Sequence, residues 1–470
     1  MMSFKSALRT GRTWLSRPLP EKVFRRRLAE CFLLALVLRV VLALPALAAP
    51  ETLLRPDSAS FLEPARALAC GDWFRAAPGS EEWSLLRPPG YPLFLAPAMK
   101  LGGGALLAAA LAGCIWSASA VWPVAWAVRR VAGERAGVLG ALCWGLALTA
   151  LAQAPQILSD SMMGVLAAWQ CYMVVRVTAS GAGRDFALLS LLAAAGCYIK
   201  PVNLPVAVIG LPVLALAAAD SARRFVRFLG IAAGVCAVLL VPYWVFMARR
   251  TGGFDGNTAN IVFHNGAAVM ARVTGESSDV WRDRLLAEAE QAFAREPRRY
   301  RTLLEQNRWK MARFRKMIRE YPKEFLIAHL PNPGNLLPDL PGLLENNRVT
   351  VSGGGTLAIL RRKGLWAAAD HYLSGRWGWL LAALPLLAVT GMIYLGAVWR
   401  LAVWCRARRW RLLLVFGVLV FYYIWAPGPV ISPRYALPAL PFLIVMALWS
   451  PEASSLRAAA ESVPPEKETI

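Results

Sequence analysis

Asp57 stands in the stretch RPDSASFLEPARALACGDWF, which follows an apolar run long enough to cross a membrane. Glu63 and Asp72 lie in the same stretch. A carboxylate placed where the chain leaves the bilayer can accept a proton from a hydroxyl at neutral pH. Asp57 could instead cap a helix over residues 58–69, because Asp-Ser-Ala-Ser is also typical of a helix start. The sequence leaves both roles open for Asp57, and we expect Glu63 to contact a substrate.

A cation follows on the same side of the predicted membrane, in the motif LLRPPGYPLFLAP. Pro88, Pro89 and Pro92 fix this backbone, and Arg87 stands directly before the first of them. This predicts a rigid corner at Arg87. A planar guanidinium suits a phosphate group, although an arginine at this position could also anchor to lipid phosphates. We expect Tyr91, in the same motif, to contact the substrate.

Three later segments add ionisable or polar residues at the same membrane face. Asp160 opens an apolar span in QILSDSMMGVL, where a carboxylate is costly unless it is paired or faces water, although it also suits a helix N-terminus. Lys200 and Asn203 lie in CYIKPVNLP between two apolar helices, where a lysine can also simply snorkel. We expect Asn203 to contact the substrate. Arg434 begins the last span, in VISPRYALPALPF. The convergence of these residues on one face predicts a site.

The composition indicates which kind of protein positions these residues. Of 470 residues, 57% are hydrophobic and only 17% are charged, and the mean hydropathy is +0.45. Long apolar blocks separated by short basic turns are typical of a polytopic membrane protein. The net charge of +23 then reflects basic cytoplasmic loops and attraction to anionic lipids, and we expect no nucleic-acid partner.

The apolar blocks predict an all-α transmembrane bundle of about 10 to 12 spans, with both ends of the chain in the cytoplasm. A short interfacial helix is expected at residues 91–101. Arg-containing turns alternate with turns of low charge, which supports this topology. The ten main spans are predicted at residues 31–49, 105–128, 136–152, 159–177, 186–199, 202–219, 225–248, 377–399, 412–425 and 435–449.

The same pattern divides the chain into five parts. A basic cytoplasmic segment over 1–30 precedes a transmembrane catalytic module over 31–248, whose first outer loop is 50–90. An extracytoplasmic loop region, 249–376, precedes the C-terminal spans over 377–450. A disordered cytoplasmic tail is predicted over 451–470.

The long outer loop contains a helical pattern of uncertain placement and three histidines. RTLLEQNRWKMARFRKMI has apolar residues at helical spacing, so it predicts a helix that lies either on the membrane surface or in a small outer domain. Of His264, His329 and His371, we expect His329 to contact the substrate, although a surface role is the commoner one for such a residue.

Eight cysteines lie mostly inside apolar runs at irregular spacing, and neither CxxC nor His-rich spacing is present. This pattern supports neither a disulfide framework nor a zinc site. No metal ligands are assigned, although Mg²⁺ or Mn²⁺ is left open as a cofactor.

The motifs together carry a resemblance. Asp57…Phe61…Ala65…Leu68…Gly71, RPPGYPLFL, LSDSMMGVL, CYIKP and SPRYALPALPFL follow one another in the order seen in GT-C integral-membrane glycosyltransferases. The chain most resembles the family 39-type branch, which includes protein O-mannosyltransferases and lipid A aminoarabinose transferases. It departs from that pattern at Phe61, where Tyr is usual, at Lys200, where Arg is common, and at Ser58, where a second acid is absent.

The resemblance implies an inverting transfer of a sugar from a polyprenyl-phosphate carrier to a lipid, glycan or protein acceptor at the extracytoplasmic face. It implies that Asp57 is the general base, that Asp160 shares the site as a second carboxylate, and that Arg87 binds the carrier phosphate. On charge alone, Lys200 and Arg434 could add to the phosphate site, because cations stabilise the charge that develops on the leaving group.

Two other functions were weighed against this one. A transporter or lipid flippase would more often show internal repeats and ionisable residues at the membrane midplane, whereas here they cluster at one face. A lipid-binding scaffold would not require Asp57. The short Arg-rich turns favour a bacterial inner membrane, with the site facing the periplasm or the exterior.

Overall fold

The structure is a computed structural model that describes residues 18–331, 333–349, 356–373 and 375–450. The start of the predicted basic segment, up to residue 17, and the predicted disordered tail lie outside these residues. The described chain is all-α, apart from an isolated antiparallel bridge between Arg75 and Trp83. The helices, which short 3₁₀ and π turns connect in several places, are α1 (Glu21–Ala43), α2 (Ala59–Cys70), α3 (Gly90–Leu101), α4 (Leu106–Ser119), α5 (Val121–Ala132), α6 (Glu134–Leu146), α7 (Leu148–Gln153), α8 (Ser159–Ser180), α9 (Gly183–Ile199), α10 (Leu211–Ala218), α11 (Ala222–Thr251), α12 (Ala267–Thr274), α13 (Ser278–Arg295), α14 (Leu303–Glu320), α15 (Pro322–Ala328), α16 (Leu340–Asn346), α17 (Thr356–Leu373), α18 (Trp377–Arg406), α19 (Val418–Trp425) and α20 (Leu440–Leu448).

The apolar helices confirm an integral membrane protein with a transmembrane helical bundle. Within the described residues, six helical segments are long and apolar enough to cross a membrane, and two shorter apolar segments, Trp410–Trp425 and Pro433–Leu448, follow them. These eight segments match eight of the ten predicted spans. The six long segments are Glu21–Leu47, Leu106–Ala132, Ser159–Ser180, Pro201–Ala218, Ala222–Thr251 and Trp377–Arg406.

The first span begins earlier than its hydropathy predicts. Its helix starts at Glu21, ten residues before the predicted Cys31, so that part of the basic segment is helical. Glu21 pairs with Arg25 at 2.8 Å and Glu30 pairs with Arg26 at 3.0 Å, both four residues apart. Such pairs support an exposed helical turn, and they explain why the helix extends beyond the apolar run.

The predicted span over 136–152 is wrong as a single helix, because the chain breaks between α6 and α7. Ala147 adopts an extended conformation, with φ −62° and ψ 121°. The fully buried Arg39 of α1 donates through Nη1 to the carbonyl of Gly145 at 3.3 Å and through Nε to Ser117 Oγ at 2.9 Å. A buried carbonyl at a helix break needs a partner, and Arg39 supplies one where water is scarce.

Two apolar clusters position the first outer loop against the bundle. The large one fills the space between α1, α5, α6, α8, α9 and α20. The second joins α2, α3 and α4 to the segment before α8, through Phe61, Tyr91, Leu95 and Ile157 among others. Burial of these side chains fixes α2 and α3 side by side, with the start of α2 beside the start of α8.

The amphipathic helix of the long loop packs into a small helical unit. Phe314 and Met317 of α14 are buried against Val262, Met270 and Leu285, which lie in or near α12 and α13. Its N-terminus carries a capping box between Thr302 and Glu305. Helix α14 therefore packs against other parts of the loop, and its placement relative to the membrane stays a prediction.

Candidate active site

Asp57 lies immediately before α2, in a turn that is tied to the start of α8. Ser58 Oγ donates to the carbonyl of Ile157 at 2.8 Å, and the backbone N–H of Ile157 donates to the carbonyl of Leu53 at 3.0 Å. Helix α2 begins without a side-chain cap, so Asp57 does not have the capping role. These two bonds hold the segments that bear Asp57 and Asp160 next to each other.

The Asp57 carboxylate is held by two arginines from distant parts of the chain. Arg87 Nη2 donates to Oδ1 at 2.7 Å, and Arg434 Nη2 approaches Oδ2 at 3.4 Å. Arg87 Nε also donates to Ser60 Oγ at 3.0 Å, and its guanidinium lies 5.2 Å from the ring centroid of Phe61. The Asp57 side chain remains 41% exposed, whereas the two arginines are 18% and 20% exposed, so solvent reaches the carboxylate between them.

Asp160 and Lys200 form a second ion pair beside the first. Lys200 Nζ donates to Asp160 Oδ1 at 2.6 Å. Asp160 lies in the first turn of α8 and its side chain is only 5% exposed. Lys200 ends α9 in an extended conformation that directs the chain into Pro201. Arg434 and Arg87 are both close enough to Asp160 to interact with its charge, so the two ion pairs form one cluster.

The sequence reasoning missed two residues that join this cluster. The ring of Tyr435 lies 4.9 Å from Lys200 Nζ and 5.1 Å from the Arg434 guanidinium carbon. It therefore attracts both cations through its ring. Ser60, which bonds to Arg87, lies in the first turn of α2, three residues after Asp57. In the sequence, Tyr435 could have been identified by its position next to Arg434. Ser60 could have been identified by its spacing of three residues from Asp57.

The long loop closes one side of the cluster through α16, by a polar contact that the sequence did not reveal. Asn346 Oδ1 accepts from Arg55 Nη2 at 3.1 Å and from Gln156 Nε2 at 3.2 Å, and Asn346 Nδ2 donates to the carbonyl of Ala152 at 2.7 Å. Arg55 lies two residues before Asp57, and Gln156 lies four before Asp160. One buried amide thus connects both acid-bearing segments to the loop.

Glu63 and Tyr91 lie near the cluster without contacting it. Glu63 pairs with Arg66 at 2.6 Å and is half-exposed on the face of α2 that continues from Asp57. Tyr91 is buried, and its ring lies edge-on to Phe61 at 5.2 Å between centroids. Tyr91 therefore supports the ring beneath Arg87, and it has no surface with which to contact a substrate.

The structure does not bring Asn203 or His329 into the cluster. Asn203 is completely buried, where it donates to the carbonyl of Ala193 at 2.6 Å and accepts from the Tyr423 hydroxyl at 3.0 Å. His329 lies in the long loop, with one ring nitrogen 2.8 Å from Asn265 Nδ2. Burial lowers the pKa of His329, which favours its neutral form. Both side chains are hydrogen-bonded inside the protein, and their expected contacts with a substrate stay predictions.

His264, which the sequence left unassigned, lies near the site. Burial lowers its pKa, as does the nearby Arg282, while the Asp57 carboxylate acts in the opposite direction.

A search of the described residues for metal-ligating side chains finds no group of three or more His, Cys, Asp or Glu. The two acids of the cluster are instead each engaged by cations. The cluster contains two carboxylates and three cations, so its net charge is +1. Such a site can receive one further negative charge.

Residues 86–246 match the family described as dolichyl-phosphate-mannose-protein mannosyltransferase. This segment contains Arg87, Asp160 and Lys200 and covers less than half of the chain. The match confirms the resemblance that the motifs indicated, to GT-C membrane glycosyltransferases. No curated protein sequence matches the chain significantly.

Two solved structures of the oligosaccharyltransferase AglB from Archaeoglobus fulgidus resemble the chain, each at 12% identity with a TM-score of 0.48. One is a complex with an inhibitory peptide and a dolichol-phosphate, and the other is tethered to an acceptor peptide that contains the NVT sequon. The matches cover 94% and 91% of this chain, but 52% and 49% of the archaeal protein. The chain therefore spans about half of the length of these proteins.

Proposed function

We propose that this protein, whose family match supports a GT-C glycosyltransferase, moves a sugar from a polyprenyl-phosphate carrier to a hydroxyl of an acceptor. The observation that carries the proposal is the half-exposed Asp57 carboxylate held between Arg87 and Arg434. This arrangement puts a proton acceptor and two phosphate-binding groups within a few ångströms of each other. Those are the two functions that such a transfer requires.

The charge of the cluster suits the donor. A sugar linked to a lipid monophosphate carries one negative charge, which equals the surplus positive charge of the cluster. We expect the phosphate to replace Asp57 as the partner of Arg87 and Arg434. Guanidinium groups bind phosphate oxygens in the same forked geometry as carboxylate oxygens. Asp57 then loses its two arginine partners, so its oxygens are free to accept a hydrogen bond from the acceptor hydroxyl.

The transfer itself is a single displacement. The acceptor oxygen forms a bond to the anomeric carbon while its proton passes to the Asp57 carboxylate. The bond between the anomeric carbon and the phosphate oxygen breaks, and its electron pair stays on the phosphate, which becomes doubly charged. Because base and phosphate lie on opposite faces of the sugar, the anomeric configuration inverts.

Asp160 acts together with the cations in this scheme. Its ion pair with Lys200 fixes the ammonium beside Arg434, since Asp160 is nearly buried and cannot move far. The second negative charge that develops on the leaving phosphate is then met by Lys200, Arg434 and Arg87. We assign Asp160 to holding these cations and Asp57 to proton transfer.

The acceptor is a lipid, glycan or protein that reaches the site from the extracytoplasmic side. The basic residues at the start of α1 support a cytoplasmic N-terminus, and the cluster lies beyond the other end of that helix. A bacterial inner membrane with the site towards the periplasm fits this orientation. Membrane lipids surround the bundle, and a metal cofactor is not needed to balance the charges of the cluster.

The experiment is a transfer assay in proteoliposomes. Purified protein receives a radiolabelled polyprenyl-phosphate hexose or pentose and a membrane extract as acceptor, and label leaving the carrier is measured for wild type and Asp57→Asn. The proposal expects transfer by the wild type and its loss in the variant. Retained transfer in Asp57→Asn, or passage of intact labelled carrier across the vesicle membrane without transfer, would overturn it, and the second result would favour a flippase.

A further inference from the structure

A surface cavity of about 530 Å³ lies next to the charged cluster. One wall is the face of α2 that carries Ala59, Ser60 and Glu63, and the opposite wall is the segment from Glu82 to Leu86. Leu303, the first residue of α14, closes the cavity from the side of the long loop. A cavity of this volume accommodates a small ligand or the head of a larger one.

Both walls of this cavity lead to the same ion pair. Ser60 and Glu63 lie three residues apart on one face of α2, and Asp57 lies three residues before Ser60 in the turn that precedes this helix. The opposite wall ends at Leu86, directly before Arg87. Ser60 lines the cavity and also accepts the hydrogen bond from Arg87 Nε at 3.0 Å. A molecule in the cavity therefore has one end beside Asp57.

The second wall is held in place by backbone bonds. The N–H of Ala76 donates to the carbonyl of Glu82 at 2.9 Å, and the N–H of Ser84 donates to that of Phe74 at 2.7 Å. The N–H of Gly256, in the long loop, donates to the carbonyl of Leu85 at 2.6 Å. These bonds come from two different parts of the chain, so the cavity is a built feature of the fold.

The lining distinguishes this cavity from the phosphate site. It offers the carboxylates of Glu63 and Glu82, the hydroxyls of Ser60 and Ser84, the indole of Trp83 and an apolar floor. Carboxylates accept hydrogen bonds from hydroxyls and disfavour an anion. The three cations of the cluster are absent from the lining, so the negatively charged donor has no counter-charge inside the cavity.

We propose that this cavity binds an uncharged, hydroxyl-rich sugar of the acceptor and presents one of its hydroxyls to Asp57. The inference rests on the proposed function and adds the acceptor's chemical class and binding site. Glu63 and Glu82 receive hydrogen bonds from the sugar, and the apolar floor contacts its ring. The phosphate of the donor binds on the other side of Asp57, at Arg87, Arg434 and Lys200.

The test compares two neighbouring glutamates. Glu82 lines the cavity, whereas Glu81 is equally exposed and lies outside the lining. Glu82→Gln and Glu81→Gln are each assayed with the labelled polyprenyl-phosphate sugar at several dilutions of a membrane lipid extract, and with delipidated membrane protein. Slow hydrolysis of the donor by water, without any acceptor, is measured in parallel. A third variant, Ala59→Phe, fills the cavity from an exposed position of α2.

The proposal predicts that Glu82→Gln raises the half-saturating extract concentration about tenfold, while Glu81→Gln leaves it unchanged. Ala59→Phe blocks transfer, and both glutamine variants hydrolyse the donor at the wild-type rate. Equal behaviour of the two glutamine variants overturns the proposal, as does a matching loss of donor hydrolysis in Glu82→Gln. If the label is found in delipidated protein instead of the lipid fraction, the proposal that an acceptor sugar occupies the cavity is overturned. Absence of both transfer and hydrolysis in the wild type contradicts the proposed function itself.

Discussion

Arg87 Nη2 lies 2.7 Å from Asp57 Oδ1, although the two residues are thirty positions apart and belong to opposite ends of the first outer loop. The pair is supported from below by Phe61 and Tyr91 and from the side by Ser60. Asp57 is the more exposed partner. A carboxylate that faces solvent while its counter-ion is anchored can change partners when a second anion arrives, and this is the step on which the proposed mechanism depends.

Asp57→Asn is expected to reduce sugar transfer about 100- to 10,000-fold, which is the usual loss when a general base is removed. The amide keeps the size of the side chain, so donor binding persists. Initial rates in proteoliposomes measure the loss. Asp72→Asn serves as the control, because Asp72 is another outer-loop carboxylate, which accepts from the N–H of Gly79. Equal losses in both variants would point to damage to the loop instead of loss of a base.

Arg87→Lys is expected to lower kcat/KM for the lipid-linked donor by about tenfold or more, mainly through KM. A lysine keeps the charge but lacks the planar fork that binds two phosphate oxygens. Donor titrations give KM and kcat separately. Arg272→Lys, at an exposed position of α12, is the matched control. An unchanged KM in Arg87→Lys would place the donor phosphate elsewhere.

Gly196→Ala is expected to destabilise the bundle by about 1–3 kcal/mol, as overpacking of a tight core does. A methyl group at Gly196 would overlap the side chain of Asn203, which cannot move because it is buried and hydrogen-bonded. Thermal unfolding in detergent measures the change. Gly230→Ala meets nothing within 4 Å in α11 and should be neutral or stabilising. Equal melting temperatures of the two variants would show that the Asn203 side chain can move away from the added methyl group.

The docking of α16 is expected to weaken as the pH rises. Asp339 accepts from Gln153 Nε2 at 2.5 Å and from the N–H of Gly342 at 3.1 Å, and burial raises its pKa above the ordinary 3.8. A raised pKa means that the folded state binds the proton more tightly. The stabilisation is therefore complete below pH 3.8 and is lost as the pH passes through the raised value.

Asp339→Asn stays neutral, so the difference in melting temperature between it and the wild type should vary with pH in that window and become constant above it. Asp279→Asn, at a side chain that is 78% exposed, is the surface control. A difference that is independent of pH would mean that folding does not raise the pKa of Asp339. Arg55 and Arg434, whose charges act on Asp339, remain in place in both variants.

The sequence predicted the membrane bundle well because long apolar runs leave few alternatives in a bilayer. It also predicted which charged residues share a face, and the structure brings Asp57, Arg87, Asp160, Lys200 and Arg434 together. Their catalytic and binding roles stay predictions. Where it was wrong about a helix, at residues 136–152, the cause was a tertiary contact: Arg39, from another helix, satisfies the carbonyl at a break that hydropathy does not reveal.

The remaining differences also arise from contacts between distant segments. Asn203 is a polar residue at the end of an apolar helix, which suggested a place in the site. In the structure it forms a buried hydrogen bond with Tyr423, 220 positions away. The contribution of α16 depends on Asn346, which lies in a loop without any recognisable motif. Spacing along the chain shows which side chains share a face of one helix, whereas it does not show which loop will fold over that face.

The central claim is that Arg87 and Arg434 break their contacts with the Asp57 carboxylate and bind the carrier phosphate. It is tested most directly by a density map of the purified protein bound to a polyprenyl phosphate. The account predicts phosphate density within hydrogen-bonding distance of both guanidinium groups, with the Asp57 carboxylate released towards the cavity that Ser60 and Glu82 line. Phosphate density elsewhere, with the Asp57–Arg87 pair still closed at 2.7 Å, would contradict it.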